Sequence, residues 1–103
     1  MSKPLVVSIP HRLGKEEAVR RLKSGLDRTL QHFASLLRVD EEIWSDNRLT
    51  IRITALHQSV SGTVDIEEDH ALIEIALPWL LAQLATRIQD TIVKRGTLLL
   101  DKT

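Results

Sequence analysis

The strongest constraint on this chain is Pro78 and the apolar repeat that follows it. Leu81, Leu84, Ala85, Ile88 and Ile92 recur at helical spacing, and Gln83, Arg87, Asp90 and Lys94 fall on the opposite side. Pro78 suits a first helical turn, where the N–H it lacks has no partner within the helix. The expectation is one long amphipathic C-terminal helix running to about Arg95. Gly96 either stops it or is tolerated inside it, and Leu98-Leu99-Leu100 either extend it or form an apolar tail. Such a helix needs another layer over its apolar stripe, which the upstream residues must supply.

They read as one further helix and a run of alternating strands. Leu5 to Ile9 alternates with one apolar face and stops at Pro10. After His11-Arg12-Leu13, Gly14 can cap a helix with Glu17 at its third position. Ala18, Val19, Leu22, Leu26, Leu30, Phe33 and Leu37 share one arc of that helix, and Gly25 lies at the arc's edge, where it allows close packing. Glu16–Arg20, Glu17–Arg21 and Lys23–Asp27 are spaced for ion pairs on its wet side.

Four strand patterns follow. Val39 to Ser45 leads through Asp46-Asn47, a hairpin signal that would pair Trp44 with Leu49 and turn both inward. Arg48 to Leu56 is followed by a turn at His57-Gln58. Val60, Gly62, Val64 and Ile66 face inward on the next strand, and Ala71, Ile73, Ile75 and Leu77 on the last. Gly62, mid-strand, suggests a bulge or sharp bend. Together these predict an α+β fold in β-α-β-β-β-β-α order. Its bent antiparallel sheet of about five strands, ordered 1-5-4-3-2, would grip the C-terminal helix.

With 103 residues, the chain forms a single domain, 1–103. It has no cysteine, hence no disulfide or thiolate chemistry, and no apolar run long enough to span a bilayer. Lys3-Pro4 leads straight into a strand rather than a signal sequence, so a cytoplasmic location is expected. Formal charge sums to zero but is unevenly spread. Residues 1–38 carry eight Lys/Arg against three Asp/Glu, and residues 39–77 two against nine. Two solvated faces that attract each other account for this split, and it could also orient a partner.

The histidines His11, His32, His57 and His70 form no metal-ligand spacing, and neither a nucleophile elbow nor a phosphate loop is present. A non-enzymatic protein without cofactor or metal is the expectation. Nucleic-acid binding is disfavoured, because the basic residues of the first helix are interleaved with Glu16, Glu17 and Asp27 and lack an aromatic platform. The candidate ligand residues are His11, Arg12 and Lys15, beside a helix N-terminus that favours anions. Helix entry alone also explains that segment. Trp79 and Leu80 are the candidate apolar surface, either exposed for a partner or folded back on the sheet. If exposed, they would suit a symmetric homodimer.

Three ordered blocks carry a family resemblance: Lys3-Pro4-Leu5-Val6-Val7-Ser8-Ile9-Pro10-His11-Arg12-Leu13-Gly14-Lys15-Glu16-Glu17-Ala18; Trp44 with Asn47-Arg48-Leu49-Thr50 and Val60-Ser61-Gly62-Thr63-Val64; and Leu77-Pro78-Trp79-Leu80-Leu81 with Gly96-Thr97-Leu98-Leu99-Leu100. Over nearly its whole length the chain resembles the polyhydroxyalkanoic acid system proteins. These are small bacterial proteins whose genes lie among those for making and storing polyhydroxyalkanoate. The resemblance implies an accessory role at storage granules, with the granule surface, a granule protein or the synthase as partner. It supplies no catalytic residue. The architecture is also similar to a reduced helix-grip, START-like fold. By that analogy the alternative is a carrier holding a hydrophobic acid or acyl ligand between sheet and long helix. A cavity lined by Ile51, Val64, Ile73 and Leu84 would favour the carrier.

Overall fold

A computed structural model describes residues 4–100, apart from the side chains of Trp79 and Leu80. Strand β1 (Leu5–Pro10) is followed by helix α1 (Lys15–His32). Four strands come next: β2 (Leu37–Ser45), β3 (Arg48–Ala55), β4 (Gln58–Ile66) and β5 (His70–Ala76). A short helix α2 (Trp79–Ala82) and the longer α3 (Ala85–Leu99) complete the order. The strands form one antiparallel sheet in the expected order β1-β5-β4-β3-β2.

Alternation decides which face is dry. Val7 and Ile9 of β1 lie opposite Ile73 and Ala71 of β5, and Trp44 lies opposite Leu49 across the Asp46-Asn47 turn, as expected. Ile9, Leu49, Ile66 and Ala71 are almost completely buried on that face, under Ala18 and Leu22 of α1. Val60, Leu77 and Leu81 form a second buried cluster, flanked by Ala85 and Ile88. The outer face is mixed: Val6 and Ile43 are exposed on it beside Arg48 paired with Asp65 and Arg52 paired with Glu41.

The elements depart from the sequence expectation in four places. The C-terminal helix is broken. The Leu84 N–H bonds the Leu81 carbonyl at 2.9 Å, an i to i−3 turn that separates α2 from α3. The break takes Leu84 out of the apolar stripe, and it is 38% exposed while Leu81 is buried. Second, α1 ends at His32, with the Phe33 N–H capping the Thr29 carbonyl, and Leu37 opens β2 instead of closing the helix. Third, β4 runs in unbroken register through Gly62, which lies opposite Ile51 and Ile75. The bulge falls instead in β2, between Val39 and Glu41.

Fourth, the β3–β4 hairpin turns on Leu56-His57, with Gln58 already in β4. Both turn residues have positive φ, 54° and 63°, a conformation that suits the twist of a two-residue hairpin but costs a leucine about 1–2 kcal/mol.

Gly96 lies inside α3, and the helix runs on to Leu99, with Leu100 buried behind it. Two glycines set how closely the helices pack. A Cβ on Gly25 of α1 would stand 2.1 Å from Leu99 Cδ2, and one on Gly96 would stand 2.3 Å from Ile9 Cδ1. On the wet side of α1, Glu17 takes both Arg20 and Arg21, so Arg20 does not fall to Glu16. Lys23 reaches over the Trp44 ring, with its amine 5.1 Å from the ring centroid.

Candidate functional site

Between α1, α3 and the inner face of the sheet lies a cavity of about 200 Å³. Its floor is Gly62 with its cross-strand neighbours Ile51 and Ile75, where the missing side chain leaves depth. Leu26 closes one wall and Ile92 the other. Val64 and Ile73 line it as the carrier alternative requires, whereas Leu84 lies at the helix break, outside it. The first buried cluster and the second meet at this space, since Ile51, Ile73 and Ile92 pack on one and Ile75 on the other.

Among the lining residues, only Arg95 is exposed; the others are buried or half-buried. Its guanidinium carbon stands 5.4 Å from the centroid of the Phe33 ring, at the end of α1. Thr29 lines the same wall, and its hydroxyl donates to the Gly25 carbonyl at 3.0 Å. Sequence reasoning singled out neither Arg95 nor Thr29. One signal for Arg95 was available: it lies between Ile92 and Leu99 on the apolar stripe, where periodicity calls for an apolar side chain.

The loop expected to receive an anion is built differently. His11 is 7% exposed, and both of its ring nitrogens are engaged within the protein. Nε2 donates to the Glu67 carbonyl at 3.0 Å, and Nδ1 accepts from the Leu13 N–H at 3.2 Å. The His11 N–H adds a bond to the Asp69 carbonyl. These contacts fasten the β1–α1 loop to the β4–β5 corner and leave no ring nitrogen for a ligand. Arg12 is exposed, and Lys15 lies in a shallow depression with Glu16, Glu17 and Glu68.

Gly14 caps α1 with φ 79°, and Glu16 and Glu17 already answer the positive end of the helix. Hydrogen bonds from Arg20 and then Arg21 lower the Glu17 carboxyl to about 2. The arrangement is that of a capped helix start. Trp79 and Leu80, the candidate apolar surface, have side chains outside the described residues; the neighbouring Leu81 faces the core and Leu84 faces solvent.

His32 packs edge-on against Phe33, and His70 Nδ1 pairs with the Asp69 carboxylate at 2.7 Å, at the same corner where the His11 N–H bonds the Asp69 carbonyl. Among the described residues no group of three His, Cys, Asp or Glu side chains could hold a metal ion. No helix of the described residues is long and apolar enough to cross a membrane.

Comparison with known proteins agrees with the three sequence blocks. No curated protein matches the chain. The model of a family described as "Putative polyhydroxyalkanoic acid system protein" matches residues 5–99, spanning every strand and helix named above. The chain therefore belongs to the polyhydroxyalkanoic acid system protein family.

Proposed function

We propose that this protein serves polyhydroxyalkanoate storage without catalysis, as a small carrier that holds a hydrophobic acid or acyl group between its sheet and α3. The observation that carries this reading is the apolar cavity over Gly62, lined by side chains that pack on both buried clusters. Its volume of about 200 Å³ is below the roughly 300–1,000 Å³ of drug-sized sites, which suits a short aliphatic chain. Methyl NMR during titration with hexanoic acid tests it. Resonances of Ile51, Ile73 and Ile92 should shift, with those of Val6 and Leu84 unmoved. Ile73→Trp should narrow the space, abolish the shifts of Ile51 and Ile92 and raise stability by about 1 kcal/mol. If the three isoleucines do not respond in the wild type, the carrier reading fails.

A second reading places the chain on the granule surface, or on a granule protein or the synthase, through Trp79 and Leu80. The exposed Leu84 beside the helix break supports an apolar rim there. Co-sedimentation with isolated granules should then resist salt and be lost in Trp79→Ala. Binding that survives this substitution would remove Trp79 from the contact.

A further inference from the structure

We propose that the cavity is a site for aliphatic monocarboxylates of about four to eight carbons, with the carboxylate held by Arg95 and the tail laid over Gly62. This rests on the carrier reading and adds the headgroup, the polarity and the length of the ligand.

The position of Arg95 defines the mouth. A cavity whose other linings are buried or half-buried opens where its one exposed lining residue stands. Packing against the Phe33 ring restrains the guanidinium while leaving its in-plane N–H groups able to donate. Among the described residues no carboxylate bridges Arg95, Arg12, Arg28 or Arg87, and of these four only Arg95 lines the apolar cavity; Arg20, Arg21, Arg38, Arg48 and Arg52 each have a carboxylate. A cation at the rim of an apolar slot, with no acidic partner among the described residues, matches an anion that brings its own apolar tail.

Thr29 cannot do the same. Its hydroxyl proton is already given to Gly25, so toward a ligand it can only accept, which a carboxylate cannot use. Recognition of the charge falls to Arg95, and recognition of the tail to the floor and walls. A second carboxylate on the ligand would have to enter the apolar interior unpaired, so dicarboxylates are excluded.

Length follows from volume. Taking a methylene to fill about as much space as a water, roughly 30 Å³, the cavity of about 200 Å³ holds about six or seven such groups. Each buried methylene should tighten binding about fourfold, up to the point where the slot is full.

Titration calorimetry with hexanoate, hexanol and adipate on the wild type, Arg95→Gln and Arg95→Lys tests the assignment. Hexanoate should bind the wild type about tenfold more tightly than hexanol, and adipate should not bind. Arg95→Gln should lose that tenfold for hexanoate and leave hexanol unchanged, and Arg95→Lys should fall between them. From butanoate to octanoate affinity should climb and then level off. Equal binding of hexanol and hexanoate, or unchanged hexanoate binding by Arg95→Gln, would overturn the anchor while leaving the carrier intact. If hexanol and hexanoate both fail to bind, the carrier reading and this inference fall together.

Discussion

Gly96→Val is expected to destabilise the protein by about 2–3 kcal/mol, in the range of an overpacked core. The Cβ of any residue there would lie 2.3 Å from Ile9 Cδ1, and Ile9 is 1% exposed. The β1 backbone cannot retreat, because it is held in register with β5, and Ile9 Cδ1 can move aside only by a rotamer change within the packed core beneath α1. The few tenths of a kcal/mol that valine gains over glycine in helix propensity do not offset this. Gly25→Ala is the contrasting control. Its Cβ would stand 2.1 Å from Leu99 Cδ2 and 3.1 Å from Cδ1 and Cγ, so the whole Leu99 side chain must swing into the cavity that it lines. Relief of that contact and a propensity gain of about 1 kcal/mol should leave Gly25→Ala close to neutral. Urea unfolding with unchanged m-values reads both. A Gly96→Val protein as stable as the wild type would mean that α3 does not press on β1 as described.

His11→Ala is expected to cost about 2–4 kcal/mol, and His11→Phe about 2 kcal/mol, because each leaves the Leu13 N–H and the Glu67 carbonyl without their partners. The two variants separate packing from hydrogen bonding: phenylalanine keeps the ring volume and alanine does not. The imidazole serves its neighbours in one tautomer, with the proton on Nε2, since Leu13 can only donate and the Glu67 carbonyl can only accept. Hydrogen exchange should localise the loss to the 11–14 loop and the 67–69 corner. Wild-type protection there in His11→Phe would show that the ring is held by packing alone.

The sheet was legible because its information is periodic. Ile9, Leu49, Val64 and Ile66 alternate with polar residues, and short turns join β2 to β5 as successive neighbours. The helix break was not legible: neither glycine nor proline marks Gln83-Leu84, and a single i to i−3 bond re-aims the following turns. The β3–β4 turn was placed one residue late for a similar reason. Leu56-His57 lacks the Asn-Gly chemistry that announces positive φ, and the flanking ladders impose it instead.

Gly62 was read as a bulge or sharp bend; β4 keeps its register there, and the missing side chain gives depth to a cavity floor. His11, in a loop, looked available to a ligand until the β4–β5 corner closed over it. Arg95 illustrates the converse. Its charge was visible in the sequence, but its value depends on the cavity that it borders.

The edge strand β2 has a consequence for life among many copies. Among the described residues it pairs only with β3, so one row of its backbone groups faces outward. A neighbour that tried to lengthen the sheet would meet the extra residue between Val39 and Glu41, which throws the hydrogen-bond ladder out of step. It would also meet the consecutive acids Asp40, Glu41 and Glu42, two of which are tied to Arg38 and Arg52. Such a strand resists edge-to-edge growth into fibres. Copies crowded together in a cell can collide along that edge and separate again.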